Sequence, residues 1–143
     1  ASTQGIIVAE NIMGKDRTMK YNSIPNCIFT TPEVASVGLS YKKAKEAHYN
    51  VIKGNFPYRA SGKALAMGEA EGMVNLIVEK KSDIVLGGQI IGAHASDLIA
   101  EITLAVNNKL TSQQITDTIH GHPTLSETVM ETAESVYGMS IHS

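Results

Sequence analysis

The sequence predicts an α+β fold, an antiparallel sheet of about five strands with helices packed on one face. Three observations carry that expectation. Strand-like segments come first along the chain and helix-like segments last, the order of an α+β domain rather than of alternating β-α units. The stretch "GMVNLIVEK", the turn "KSD" and the return "IVLGGQIIGAH" form the clearest hairpin signal, with Met73, Val74, Leu76 and Val78 apolar in the first strand. Two late segments carry apolar stripes at helical spacing, wide enough to cover a sheet.

The elements follow in order. "STQGIIVAENIMG" places Ile6, Ile7, Ala9, Ile12 and Met13 at helical spacing and ends on Gly14, a natural C-cap. "KDRTMKYNSIP", with Asn22, Ser23 and Pro25, is polar and turn-prone and reads as a linker. A helix without a capped start, followed by a linker, suggests a chain cut from something longer. "NCIFT" and "VASVGLS" read as short strands parted by a turn at Pro32. Ser40 is placed to cap a short surface helix through "YKKAKEA", whose Lys42, Lys43, Lys45 and Glu46 form a solvated face. "YNVIKGNFPY" is the next strand. "RASGKALAMGE" is a loop or weak helix, its Gly62 and Gly68 counting against helix. Beyond the hairpin, where Gly87 and Gly88 suggest a bulge, Ser96 is expected to open a helix with Leu98, Ile102 and Ala105 on one face, Ile99 and Val106 beside them. Thr111 or Ser112 caps a brief helix reaching Ile119. The last helix carries Leu125, Val129, Ala133 and Val136 and stops near Gly138.

Composition limits function. A chain of 143 residues is long enough to bury roughly two-thirds of its unfolded surface in one domain. With no tryptophan and two phenylalanines, its core must be built from Ile, Val, Leu, Ala and Met. A net charge of −2 with scattered Lys and Arg gives no footprint for nucleic acid, and no apolar run approaches the roughly 18 residues that span a bilayer. Neither nucleic acid nor membrane is an expected partner, and the expected location is intracellular. The single cysteine, Cys27, excludes an intramolecular disulfide and any Cys-x-x-Cys motif in this chain, and its apolar setting suits a small buried hydrophobe.

The chemistry concentrates in "HGHPTLSE", residues 120–127. Thr124 followed three residues later by Glu127 matches a capping box, which accounts for both without any catalysis, and Pro123 keeps His122 extended just outside the helix. The same placement brings Glu127, tilted back toward the helix start, within reach of His122. A carboxylate on one imidazole nitrogen fixes the tautomer and makes the other nitrogen a better base. Both readings stay open on spacing alone. His120 and His122 as metal ligands would need further ligands that no His-Glu-x-x-His helix or cysteine pair supplies, so no metal is expected. A hydrolase lacks its G-x-S-x-G elbow. Dinucleotide binding lacks its fingerprint, because no two glycines are separated by a single residue.

"HGHPTLSE" closely resembles the active-site signature of the dihydrolipoamide dehydrogenases, within the flavin-dependent pyridine nucleotide disulfide oxidoreductases. "IPNCIFTTPEVASVGLS", "GKALAMGEAEGMVNLIV", "GGQIIGAHASDLIAEITLAV" and "YGMSIHS" extend the likeness to that family's C-terminal interface domain over residues 21–143, with residues 1–20 resembling the end of the flavin domain's last helix and a linker. The resemblance implies that His122 is the acid/base toward dihydrolipoamide, held by Glu127, with His122 and Pro123 on the flavin side. It further implies FAD and NAD in a full-length enzyme, a homodimer, and as partners the lipoyl group of an acyltransferase and that protein's peripheral subunit-binding domain. The two-cysteine motif, the FAD domain and the NAD domain are missing from this chain, so it is expected to bind no cofactor and to turn nothing over alone. His120 is expected to pack or to line the pocket, and His94, at a strand end, to be structural.

Overall fold

A computed structural model of the chain describes residues 1–139. Six helices and five strands follow in order: α1 Ser2–Ile12, β1 Asn26–Ile28, β2 Glu33–Gly38, α2 Tyr41–Glu46, β3 Val51–Pro57, α3 Gly62–Met67, β4 Met73–Glu79, β5 Val85–Gly92, α4 Ala95–Asn108, α5 Ser112–Thr116 and α6 Glu127–Ser135. The strands form one antiparallel sheet in the order β1-β2-β5-β4-β3, the expected α+β fold. The tail of "YGMSIHS" beyond Met139 lies outside the described residues.

One face of the sheet makes the main core. Val74, Leu76 and Val78 of β4 point the same way, as alternation requires, and meet Ile99, Ile102 and Ala105 of α4 and Val129 and Ala133 of α6. Helix α4 lies on β5 and β2, α6 on β3 and β4, and α5 against α6. The opposite face carries a small second cluster in which Ala44 of α2 covers Val51 and Ile77. Tyr58 is fully buried and donates to the Ala93 carbonyl at 3.0 Å; burial pushes its phenol up to about 12.

Local expectations hold where the signal is local. Ser40 accepts from Lys43 N–H and caps α2. The segment at residues 61–68 is a helix, because Ser61 caps it and Gly68 ends it in the left-handed region, so the two glycines lie at its ends rather than inside. The β4–β5 register slips between Ile77↔Gly87 and Val78↔Val85, which leaves Leu86 as the extra residue of the bulge. Thr111 caps α5 in a full capping box with Gln114, but that helix stops at Thr116, short of Ile119.

Two helix starts differ from expectation. Helix α4 begins at Ala95 rather than at Ser96, with left-handed His94 as its cap residue, and the amide of Ser96 is satisfied from across the fold by Glu33 Oε2 at 2.9 Å. That amide hydrogen bond holds the Glu33 carboxyl below its ordinary 4.5. A carboxyl depressed in the folded state adds stability above its unfolded value and loses it as pH falls through the folded one. Glu33→Gln is therefore expected to flatten the acid limb of stability, and urea midpoints of both proteins at about pH 6 and about pH 3.5 read it. Parallel losses in the two proteins would refute the linkage. The second case, α6, belongs to the site.

Candidate active site

The loop 117–126 joins α5 to α6 and carries both histidines. Helix α6 starts at Glu127, not after Thr124, and Ser126 is its cap residue without a side-chain cap bond. Only half of the expected capping box forms. Glu127 Oε2 accepts from Thr124 N–H at 2.7 Å, but the threonine hydroxyl donates to the Gly121 carbonyl at 2.6 Å and also meets Ser126 Oγ at 2.8 Å. The hydroxyl thus closes the turn around the proline instead of capping the helix. Glu127 sits in the first turn of α6, where the helix dipole favours a negative charge.

The other oxygen of Glu127 completes the arrangement. Oε1 lies 2.9 Å from His122 Nδ1. The structural and the chemical reading of Glu127 are therefore not alternatives, because each uses a different oxygen. The amide of Thr124 fixes the carboxylate, and the carboxylate fixes the imidazole. The His122 side chain is 81% exposed, and among the described residues its Nε2 has no hydrogen-bond partner. An imidazole held at Nδ1 and open at Nε2 can take a proton from, or return it to, a group arriving from solvent.

His120 is held in the opposite manner. Its Nδ1 lies 2.7 Å from the Thr118 carbonyl and its Nε2 2.9 Å from Glu101 Oε1, and its side chain is 6% exposed. With both nitrogens engaged it has none to offer a substrate, in keeping with the packing role expected of it. His94 shapes the start of α4 and meets Asp97 at 3.3 Å. Cys27 is half-buried against the main core.

A cavity of about 270 Å³ opens beside the pair, lined by Phe56, Ser61, Lys63, Leu65, His122 and Glu127 among others. A second groove, on the other side of Pro123, is also lined by Lys63, with Met67, His94 and Leu98. Sequence reasoning missed Lys63 and Glu101, because nothing local to "SGKAL" or "IAEIT" points at residues 120–127. Among the described residues no group of three or more His, Cys, Asp or Glu is gathered to hold a metal ion, and no helix is long and apolar enough to cross a membrane. The chain has no glycine-x-glycine turn of the kind that cradles a pyrophosphate.

Both the sequence and the fold of the chain have counterparts among known proteins. A dihydrolipoyl dehydrogenase of Chlamydia trachomatis is 49% identical over 142 residues, which is 99% of this chain and 30% of the relative. One of Bacillus subtilis is 44% identical with the same coverage. The chain therefore spans about 30% of the length of the curated relatives it matches. Among solved structures, LpdA from Mycobacterium tuberculosis superposes with a TM-score of 0.88 at 26% identity, covering 94% of this chain and 29% of that one. The HOCl-induced flavoprotein disulfide reductase RclA from Escherichia coli gives 0.80 at 24% identity, covering 87% and 29%, and so shares the fold. A family profile described as "Pyridine nucleotide-disulphide oxidoreductase, dimerisation domain" matches residues 24–133, most of the chain, and the chain belongs to that family.

Proposed function

We propose that this chain is the C-terminal dimerisation domain of a dihydrolipoamide dehydrogenase and supplies the His122–Glu127 acid/base pair to the oxidation of dihydrolipoamide on a partner subunit. One observation carries the reading: in a dimerisation domain, a solvent-facing imidazole is fixed at Nδ1 by Glu127 at 2.9 Å and is open at Nε2. Nε2 would take the proton of an incoming dithiol, giving the thiolate that attacks a disulfide, and would return a proton to the departing thiolate. Glu127 holds the tautomer that keeps the Nε2 lone pair outward. The disulfide is not on this chain, whose one cysteine is Cys27. FAD and NAD, bound by the remainder of a full-length protein, supply the two-electron acceptor chemistry when present.

Residues 21–143 form the dimerisation domain on this reading, and residues 1–20 end a flavin domain. The exposed Ile6, Val8 and Ile12 of α1, whose one buried residue is Ile7, and Met13 at its C-cap suit a helix that packs on that domain. The partners are a second copy of the chain, the lipoyl group of an acyltransferase and its peripheral subunit-binding domain, in the cytoplasm or mitochondrial matrix. The exposed Phe29, Leu104 and Ile119 favour a second reading, a pure association and docking module without a catalytic part.

The flavin-loaded full-length protein, given dihydrolipoamide and NAD, is expected to form NADH, and the 143-residue chain alone to form none. A full-length protein that binds flavin yet leaves the dithiol reduced would overturn the proposal. NADH formation by the isolated chain would overturn the claim that its pair acts only across a subunit boundary.

A further inference from the structure

Two residues before His122 the same loop is fastened by a second histidine–carboxylate contact. Nε2 of His120 meets Oε1 of Glu101, nineteen positions earlier, half-buried on a helix whose Ile99, Ile102 and Ala105 are sunk in the core. The Thr118 carbonyl can only accept, so Nδ1 carries the proton of that bond.

The surroundings say what this contact is for. Ile119, which would anchor the loop if burial held it there, is 97% exposed. Leu125 anchors the far end of the loop in the core, and directional polar bonds hold the stretch before it: Thr118 Oγ1 to the Gln114 carbonyl at 2.8 Å, His120 to Thr118 and Glu101, and Thr124 Oγ1 to the Gly121 carbonyl. His122 is exposed and, among the described residues, its ring hydrogen-bonds to Glu127 alone, so the placement of its backbone falls to these neighbours. Apolar contacts fix proximity. Hydrogen bonds fix orientation as well, which a proton acceptor needs.

We propose that Glu101 and His120 are a positioning pair: they tie the loop to α4 and so align His122 on Glu127. This rests on the reading of His122 as the proton acceptor. Neither residue touches the reacting atoms.

The test uses the flavin-loaded full-length protein. Glu101→Leu removes the partner, whereas Glu101→Gln keeps one, its amide N–H donating to Nε2 of a His120 whose proton stays on Nδ1. Glu101→Leu is expected to lower kcat by about 10- to 100-fold with KM for dihydrolipoamide within about twofold, and Glu101→Gln to restore most of the loss. A crystal structure of Glu101→Leu is expected to show the His122–Glu127 contact broken. If Glu101→Leu does not fold, His120→Asn, too short to reach Glu101, is expected to give the same loss. The proposal is overturned if the variant keeps His122 on Glu127, whatever its rate. It is equally overturned if the contact breaks and turnover stays normal while His122→Gln is inactive. A broken contact with normal turnover in both Glu101→Leu and His122→Gln supports the alignment role and removes His122 as proton acceptor.

Discussion

His122→Gln in the flavin-loaded full-length protein is expected to lower oxidation of dihydrolipoamide by about 10³-fold, inside the range that a positioned proton acceptor contributes. Glutamine is the informative replacement because its amide N–H can still donate to Glu127 Oε1, now 2.9 Å from His122 Nδ1, while no basic nitrogen is left to face solvent. The dimer should survive, since His122 is exposed and packs no core. The deficit should also shrink with rising pH, because a thiol with an ordinary value near ~8.5 ionises without help. Glu127→Gln is expected to cost about 10²-fold. Its one carbonyl oxygen cannot take over both oxygens' duties, so either His122 Nδ1–H or Thr124 N–H loses its acceptor. Steady-state rates across pH, with sedimentation to confirm the dimer, read both. Turnover within about threefold of the parent for His122→Gln would leave the domain only its association role.

The sequence was legible where one segment holds its own signal. The β4–β5 hairpin, the Ser40 cap and the stripe of α4 all stand as short-range patterns, and each formed. It was not legible where the partner is distant. Ser96 looked like a cap, yet the start of α4 is completed by Glu33, sixty-three positions away, which frees the serine hydroxyl from that duty. Thr124 looked like a cap for the same reason, and here the proline turn took its hydroxyl. Glu127 shows the limit most clearly: spacing could state both of its roles but could not say that two oxygens allow both. Glu101 had no local signal at all, because an acidic residue on a solvated helix face looks the same whether or not a loop histidine lands on it.

Gly54→Ala is expected to cost about 3 kcal/mol of stability, the upper part of the range for an overpacked core. Gly54 sits on β3 opposite Leu76 with its missing side chain aimed at α6. A Cβ there would fall inside the contact distance of the Thr132 carbonyl oxygen and 2.8 Å from Val136 Cγ2. The first obstacle is backbone, so no rotamer change relieves it, and α6 must move off the sheet. That movement also breaks the bond from the Asn55 amide to Ser135 Oγ, at 2.9 Å, by which α6 serves a strand that is, among the described residues, the edge of the sheet. Glu127 begins the same helix, so a displaced α6 is expected to carry it away from His122 as well. Gly62→Ala is the matched control. Gly62 opens α3 with nothing near the position of a Cβ, and the substitution is expected to add about 0.5 kcal/mol by narrowing the unfolded ensemble. Urea unfolding of the two variants should separate them in sign. If Gly54→Ala were as stable as the parent, α6 would not be seated on β3 through a glycine, and the placement of Glu127 would need another support.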